Sequence, residues 1–360
     1  MSITADCLTE ESQATNFADR LAQILNDGAL SLMLGIGHRT RLIDVMSELP
    51  PCTAESIARA AGLNERYVRE WLGSMVTGRI VQYDPSLSTY ELPAEHAALL
   101  TRSAVPINFA SAMQWVAVLG GVEDRIVECF QNGGGVGYEA FHRFHEVMAE
   151  ESAQTVVAAL TDNILPLADG LAEELERGID VLDIGCGSGR AICRLAAEFP
   201  NSRFVGFDLC SDAITAARNE ANRLKLTNVK FEPRDVTKIG DVERFDLITA
   251  FDAIHDQAHP EVVLREIAAA LRPNGTFLMQ DILASSHLEQ NIDNPIASFL
   301  YTISTMHCMT VSLAQGGAGL GTCWGRELAE KMLNKAGFAN VRVEKLPHDD
   351  MNYYYIAQKC

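Results

Sequence analysis

Apolar positions change their spacing partway along the chain. Over 12–49 they recur every three to four residues, which predicts two helices split near Asn26-Asp27-Gly28 and stopped by Pro50-Pro51. Thr53 can cap a helix over 54–61 that ends at Gly62, and Asn64 can cap another over 65–75. Two short strands, 80–83 and 89–92, flank the turn signal Asp84-Pro85-Ser86. Helix, turn, helix and hairpin in that order predicts a winged helix.

Residues 106–130 and 139–160 also carry a helical pattern. Between them lies Asn132-Gly133-Gly134-Gly135-Val136-Gly137, a predicted flexible loop or hinge. From 179 onward apolar runs of five to seven residues alternate with helical stretches. Strands are predicted at 180–184, 203–208, 229–233, 246–251 and 276–282, with helices at 189–199, 211–224 and 260–271. Two late runs, 341–346 and 352–358, read as closing strands. The alternation predicts an α/β fold, a parallel sheet with helices on both faces, behind a mainly helical N-terminal domain. The boundary is expected near 165–178, with the 139–160 helix bridging it.

The richest chemical signal is Val181-Leu182-Asp183-Ile184-Gly185-Cys186-Gly187-Ser188-Gly189-Arg190. A hydrophobic run enters a glycine turn, and a helical stretch leaves it. Such a turn brings backbone close to a ligand with no Cβ in the way. Asp208 follows a second apolar run, 204–207, where a carboxylate can take both hydroxyls of a ribose. The spacing is G-x-G-x-G, not the G-x-G-x-x-G of dinucleotide folds. It points to an adenosine that carries no pyrophosphate.

Composition narrows the alternatives. The 360 residues carry a net charge of −19, and the first lysine is Lys225. Residues 1–150 hold ten Arg against nineteen acids, a net of −9. Nucleic acid and membrane surfaces are poor partners for that charge. Residues 53–83, which include the would-be recognition helix, sum to only +1, so a DNA-binding role is disfavoured. The nine cysteines include no C-x-x-C pair, which suits a reduced, cytoplasmic protein and predicts no zinc site. Met1 to Gln13 is polar and acidic and reads as no signal peptide. The most apolar stretch, 105–122, contains Asn108 and Gln114 and reads as a buried helix.

Five motifs in order then resemble a class I S-adenosylmethionine-dependent methyltransferase. They are the glycine turn 183–189, Asp208, Asp235-Val236, Phe245-Asp246-Leu247-Ile248 and Leu271-Arg272-Pro273-Asn274-Gly275. The whole chain resembles the small-molecule O-methyltransferase branch, whose N-terminal winged helix serves dimerisation. Phe144-His145-Glu146-Val147-Met148 with Ser152 resembles its F-N-x-x-M…S, and Ala253-Ile254-His255-Asp256 resembles its L-H-D-W. A bacterial-type subgroup fits further through Val68-Arg69-Glu70-Trp71-Leu72 and the segment 92–100. Gln257 stands where the branch has tryptophan, and no acid aligns within Gly321-Thr322-Cys323-Trp324-Gly325, where plant-type members carry a second glutamate. His255 is therefore expected to lack one orienting carboxylate.

The resemblance implies three parts: 1–105 winged-helix and dimerisation, 106–170 linker and active-site roof, 171–360 donor-binding. It implies S-adenosyl-L-methionine as donor, S-adenosyl-L-homocysteine as product, a small-molecule acceptor and a homodimer. Asp183, Gly185, Gly187, Gly189, Asp208, Leu209, Asp235, Val236, Ala250, Phe251 and Ser152 are the expected donor-binding set. His255 is the expected general base, with Asp281 orienting it. The acceptor pocket is expected among Trp115, Phe141, Phe144, His145, Met148, Met306, His307, Cys308 and Met309. His142, His145, His255 and His307 show no metal-ligand spacing, so no metal is expected. Gly316-Gly317-Ala318-Gly319-Leu320-Gly321 reads as a lid or as an inert loop. N-, S- or C-methylation without a base stays open, as does a non-catalytic donor sensor.

Overall fold

The computed structural model describes residues 10–359, with side chains from Thr15 onward. Most of the polar segment Met1 to Gln13 lies outside the described residues. The chain divides into two compact units, one ending at Ala117 and the other starting at Val118.

In the first unit a single helix, Glu10–Arg39, runs straight through Asn26-Asp27-Gly28. The predicted split there is wrong. An isolated glycine costs a helix only about 1 kcal/mol, and helix formers flank it on both sides. Asp27 is also bound into the helix, accepting from Gln23 (2.6 Å) and, at its carbonyl, from Ser31 (2.8 Å). The break falls at Arg41, whose φ of 61° lies in the left-handed region, before Leu42–Ser47. Thr53 and Asn64 cap Ala54–Ala61 and Glu65–Thr77 as the sequence predicts. A short hairpin follows, β1 (Gln82–Asp84) against β2 (Thr89–Glu91). Leu34, Ile43, Ile57, Trp71, Leu72 and Met75 form this unit's core. Trp71 Nε1 donates to the Met33 carbonyl across it (2.8 Å).

The helices expected over 106–130 and 139–160 are both interrupted. The former is three helices, Phe109–Ala112, Gln114–Gly120 and Glu123–Asn132. The latter is a 3₁₀ turn (Tyr138–Ala140), a helix (Phe144–Ser152) and π-helical turns at Ala153–Val157 and Leu160–Ile164.

The second unit is built on seven strands: β3 (Asp180–Ile184), β4 (Arg203–Asp208), β5 (Val229–Pro233), β6 (Phe245–Phe251), β7 (Leu271–Ile282), β8 (Phe338–Leu346) and β9 (Asp349–Lys359). Their order is β5-β4-β3-β6-β7-β9-β8. The first five are parallel, and β9 runs antiparallel to both β7 and β8. Leu182, Ile248 and Phe277 face one core with Val263, Leu264 and Met332. Their neighbours Val181, Leu247 and Leu278 face a second core with Ile192, Leu195 and Ile214. That alternation is why the central strands read as unbroken apolar runs. The chain winds outward from β3 to β5, then restarts at β6 beside β3. The loops after β3 and β6 therefore meet at the switch point, where doubly wound sheets place ligands.

No helix among the described residues is long and apolar enough to cross a membrane. The seven described cysteines are all free.

Asn64→Ala removes the acceptor for the Arg66 N–H (3.1 Å). We expect a loss of about 1 kcal/mol, read as a lower urea midpoint with an unchanged slope.

Candidate active site

The turn after β3 is shaped by three left-handed glycines, Gly185 (φ 65°), Gly187 (φ 50°) and Gly189 (φ 70°). They face different surroundings. A Cβ on Gly189 would lie 2.7 Å from the Phe231 ring and 2.8 Å from Ala217, so the turn packs flush against β5 and the helix Ser211–Arg223. A Cβ on Gly187 would meet nothing within 4 Å. Asp208, at the end of β4, closes the turn: Oδ2 accepts from Gly187 N (2.9 Å) and Oδ1 from Cys210 N (2.8 Å). Leu209 beside it is exposed.

Asp183 is buried on β3 and accepts from the Thr249 hydroxyl (2.7 Å). Burial pushes its carboxyl up to about 7 against the effect of that hydrogen bond, and the charge on Asp208 adds to the rise. Ala250 and Phe251 end the neighbouring strand β6. Asp235 is exposed and caps a 3₁₀ turn, accepting from the Thr237 N–H (2.9 Å) and hydroxyl (2.7 Å), with buried Val236 next in the chain. Ser152 ends the helix Phe144–Ser152 and is half-buried. Open space at Gly187 beside a carboxylate at the end of β4 is a cradle that fits an adenosine-bearing donor.

His255 lies four residues past β6 and is buried. Its Nδ1 donates to Asp281 Oδ1 (2.9 Å). Asp281 is fully buried near the end of β7, and the same oxygen accepts from Trp324 Nε1 (2.9 Å) and Ile282 N (2.8 Å). The sequence leads one to expect a missing carboxylate at the histidine, and the structure supplies one from the adjacent residue. Asp256 Oδ1 lies 3.2 Å from His255 Nε2. Burial opposes charge on the ring, but Asp281 and Asp256 outweigh it and raise His255 well above the usual imidazole range. The opposing charge on His255 in turn overcomes burial at Asp256 and holds it below the usual carboxylate range.

A ring cluster borders this network. His307 stacks on Phe144 (3.9 Å between centroids, 10°) and meets Phe141 (4.7 Å) and Tyr138 (5.3 Å) edge-on. His145 meets the Phe144 edge at 5.4 Å. Burial lowers His307 to about 4, so its ring is neutral. His307 and Cys308 sit side by side in a π-helical turn, Ser304–Cys308. The wider helical turn directs two consecutive residues inward, and π-turns gather at functional sites. Met306 and Met309 flank them half-buried, and Met148 is half-buried on the Phe144–Ser152 helix. Trp115 is buried in the first unit.

Sequence reasoning missed Tyr138, Asp256 and Trp324 as site residues. Tyr138 donates its hydroxyl to Asp256 Oδ2 (3.1 Å) across 118 positions. Its only local signal is a place just after the glycine segment. That segment is docked: Val136 N donates to Thr310 Oγ1 (2.8 Å), and a Cβ on Gly135 would lie 2.1 Å from the Thr310 carbonyl. The glycine stretch 316–321 is likewise tied down, by Ala318 N to the Ala258 carbonyl (2.8 Å) and Gly317 N to the Ser312 carbonyl (2.9 Å).

Of the four histidines considered for a metal, His142 is exposed. Among the described residues, one group of three with atoms of ligand type comes together: His255, Asp256 and Cys308, with an atom from each inside 4.8 Å. Burial pushes the Cys308 thiol up to about 11, so it is neutral and ligation would first require its proton to leave.

Comparison with known proteins agrees with this architecture. Residues 28–102 match a family described as an Rv2258c-like winged HTH domain, and residues 175–320 match a methyltransferase domain. The chain thus carries a winged-helix domain followed by a methyltransferase domain. A ubiquinone biosynthesis O-methyltransferase of Coxiella burnetii is 27% identical over 128 residues, 35% of this chain and 49% of that one. The chain thus spans about half the length of that relative. Two solved structures share the fold over nearly the whole chain. A Nostoc punctiforme protein described as an O-methyltransferase aligns with a TM-score of 0.72 and 18% identity, covering 95% of this chain and 98% of that one. Human N-acetylserotonin methyltransferase, solved with S-adenosylmethionine, aligns with a TM-score of 0.67 and 16% identity, covering 100% and 99%.

The two turn glycines should separate stability from binding. Gly189→Ala adds a Cβ into packed neighbours and should unfold several degrees lower. Gly187→Ala adds only left-handed strain, about 1 kcal/mol, and should weaken S-adenosylmethionine binding by calorimetry with a smaller thermal shift. Equal stability losses with unchanged donor affinity in both would refute this division.

Proposed function

We propose that the chain transfers a methyl group from S-adenosyl-L-methionine to a hydroxyl of a small, partly apolar molecule, with His255 as general base and Asp281 orienting it. One observation carries the reading. A buried imidazole hydrogen-bonded to a buried carboxylate stands past β6 in the unit whose β3 turn is the donor cradle. The O-methyltransferase names among the relatives and structural neighbours support it.

When bound, S-adenosyl-L-methionine supplies an electrophilic methyl on a sulfonium and leaves as S-adenosyl-L-homocysteine. In this reading Gly185, Gly187 and Gly189 admit the methionine end, with Asp183, Ala250, Phe251 and Ser152 around it. Asp208 and Leu209 hold the ribose, and Asp235 and Val236 the adenine. Phe144, His145, Met148, Met306, His307 and Cys308 line the acceptor side. The acceptor oxygen forms its bond to the methyl carbon as the carbon–sulfur bond breaks and that electron pair stays on sulfur. The hydroxyl proton passes to His255 Nε2. The ring must be neutral to accept it, and the flanking carboxylates favour the charged ring. Turnover should therefore climb with pH to above the ordinary imidazole range.

A second reading has its own support. Asp256 faces the base nitrogen, and an amine or thiol acceptor needs no base. His255→Asn decides between the two. With labelled donor and fractionated cell extract, the hydroxyl reading expects label in small molecules to fall about 10²–10⁴-fold, with Asp208→Ala also losing it. Label retained in His255→Asn and lost in Asp208→Ala would overturn the base.

We also propose a homodimer through the N-terminal unit. Phe17, Leu21, Ile24, Leu25, Leu32 and Ile36 are exposed along the helix Glu10–Arg39, a large apolar stripe for water to cover. Leu21→Glu with Leu25→Glu should halve the mass seen by light scattering. An unchanged mass would place any dimer contact elsewhere.

A further inference from the structure

We propose that Tyr138 and Asp256 are positioning residues for the base: the Tyr138 hydroxyl holds the Asp256 carboxylate against His255 Nε2, and an acceptor reaches that nitrogen by taking the place of Asp256. The proposal rests on His255 being the base.

The two sides of the imidazole are held differently. On the Nδ1 side Asp281 is fixed by three donors on one oxygen. On the Nε2 side Asp256 Oδ1 is close, 3.2 Å, yet no donor is aligned on it as a hydrogen bond. A buried oxygen that is near a charge but poorly directed toward it is the weaker of the two contacts. It is the one an incoming hydroxyl can replace. The protons balance once the Nε2 proton has left to solvent: the neutral ring keeps its Nδ1–H on Asp281, the hydroxyl presents its own proton to the bare Nε2, and Asp256 keeps its second oxygen on Tyr138.

The support for Asp256 comes from a segment suited to this exchange. Tyr138 is half-buried on a single 3₁₀ turn, directly after 132–137. That glycine-rich run docks on the helix Met309–Ala314 through the Val136–Thr310 hydrogen bond and the close approach of Gly135. The same helix continues the π-turn that carries His307 and Cys308. The groups facing the acceptor side and the hydroxyl that holds Asp256 thus share one support.

Several other groups act on His255. Asp252 lies on its own loop, with burial first and then Asp281 pushing its carboxyl up to about 8. His307 and Cys308 face it from the π-turn, and Cys323 from the turn Thr322–Trp324. His307 and Cys308 also face Asp256. Among the described residues, Asp256 joins Nε2 to the Tyr138 hydroxyl.

The test is ¹⁵N-histidine NMR titration of the full-length protein, which reads the His255 ring with no acceptor present, together with the pH profile of kcat. Asp256→Asn should lower the His255 titration by about one to three pH units, the range an adjacent opposite charge produces. Tyr138→Phe should move it the same way by a smaller amount, and the kcat profile should follow in both. Phe141→Leu, in the same ring cluster but without a bond to Asp256, should lose stability and leave the titration in place. A Tyr138→Phe protein whose titration and kcat profile match the wild type overturns the proposal, even where Asp256→Asn fails to fold. A shifted titration in a protein whose His255→Asn variant keeps full activity would instead overturn the base.

Discussion

One oxygen anchors the candidate site. Asp281 Oδ1 accepts from an imidazole, an indole and a backbone amide, and the residue has no exposure to solvent. A carboxylate so buried is kept by the three donors that converge on that one oxygen. They in turn fix the ring plane of His255 and the turn that carries Trp324. The sheet determines whether this arrangement exists at all. Phe251 pairs with Gln280 across β6 and β7, so Asp281 falls one step past the end of that pairing, level with the loop that returns His255. A register slip of one residue would turn Asp281 to the other face and leave the imidazole with only its loose partner.

The site is rich in acids and poor in cations. Asp252, Asp256 and Asp281 surround His255, and Asp183 lies near Asp208 beside the glycine turn. Two of these acids, Asp183 at about 7 and Asp252 at about 8, hold protons near neutrality because burial opposes their charge. Such surroundings favour a cationic ligand over an anionic one. They are consistent with a donor that enters as a sulfonium and leaves as a neutral thioether, since the site's field then weakens its hold on the product.

Much of this was legible in the sequence where the signal is local. The glycine turn, Asp208 at the end of a strand and the caps at Thr53 and Asn64 each depend on residues a few positions apart. The strands of the parallel sheet announce themselves because burial on both faces leaves an unbroken apolar run. His255 lies in the loop past β6 and Asp281 near the end of β7, where the sequence reading puts them. What stayed hidden depends on distance or on small free-energy differences. Tyr138 meets Asp256 across 118 positions and Trp324 meets Asp281 across 43, and no periodicity encodes either. Gly28 reads as a break yet costs the long helix too little to stop it. Asp235 shows the reverse case: its acid is where the motif puts it, and one of its oxygens is spent on capping its own turn.

The π-turn at Ser304–Cys308 has a genealogical meaning as well as a geometric one. A π-turn is an α-helix with one residue too many, so its simplest origin is a single-codon insertion accommodated without unravelling the helix. The reverse event is informative. Deleting one residue there would restore a regular helix and rotate everything after it by roughly 100°. Thr310 would swing away from the Val136 amide, and His307 and Cys308 would no longer both face inward. Relatives lacking that residue would keep the donor cradle, which lies elsewhere on the sheet, and would present a different wall to the acceptor. A change of one residue in length, invisible to composition, would thus remake the ring cluster while leaving the glycine turn after β3 intact.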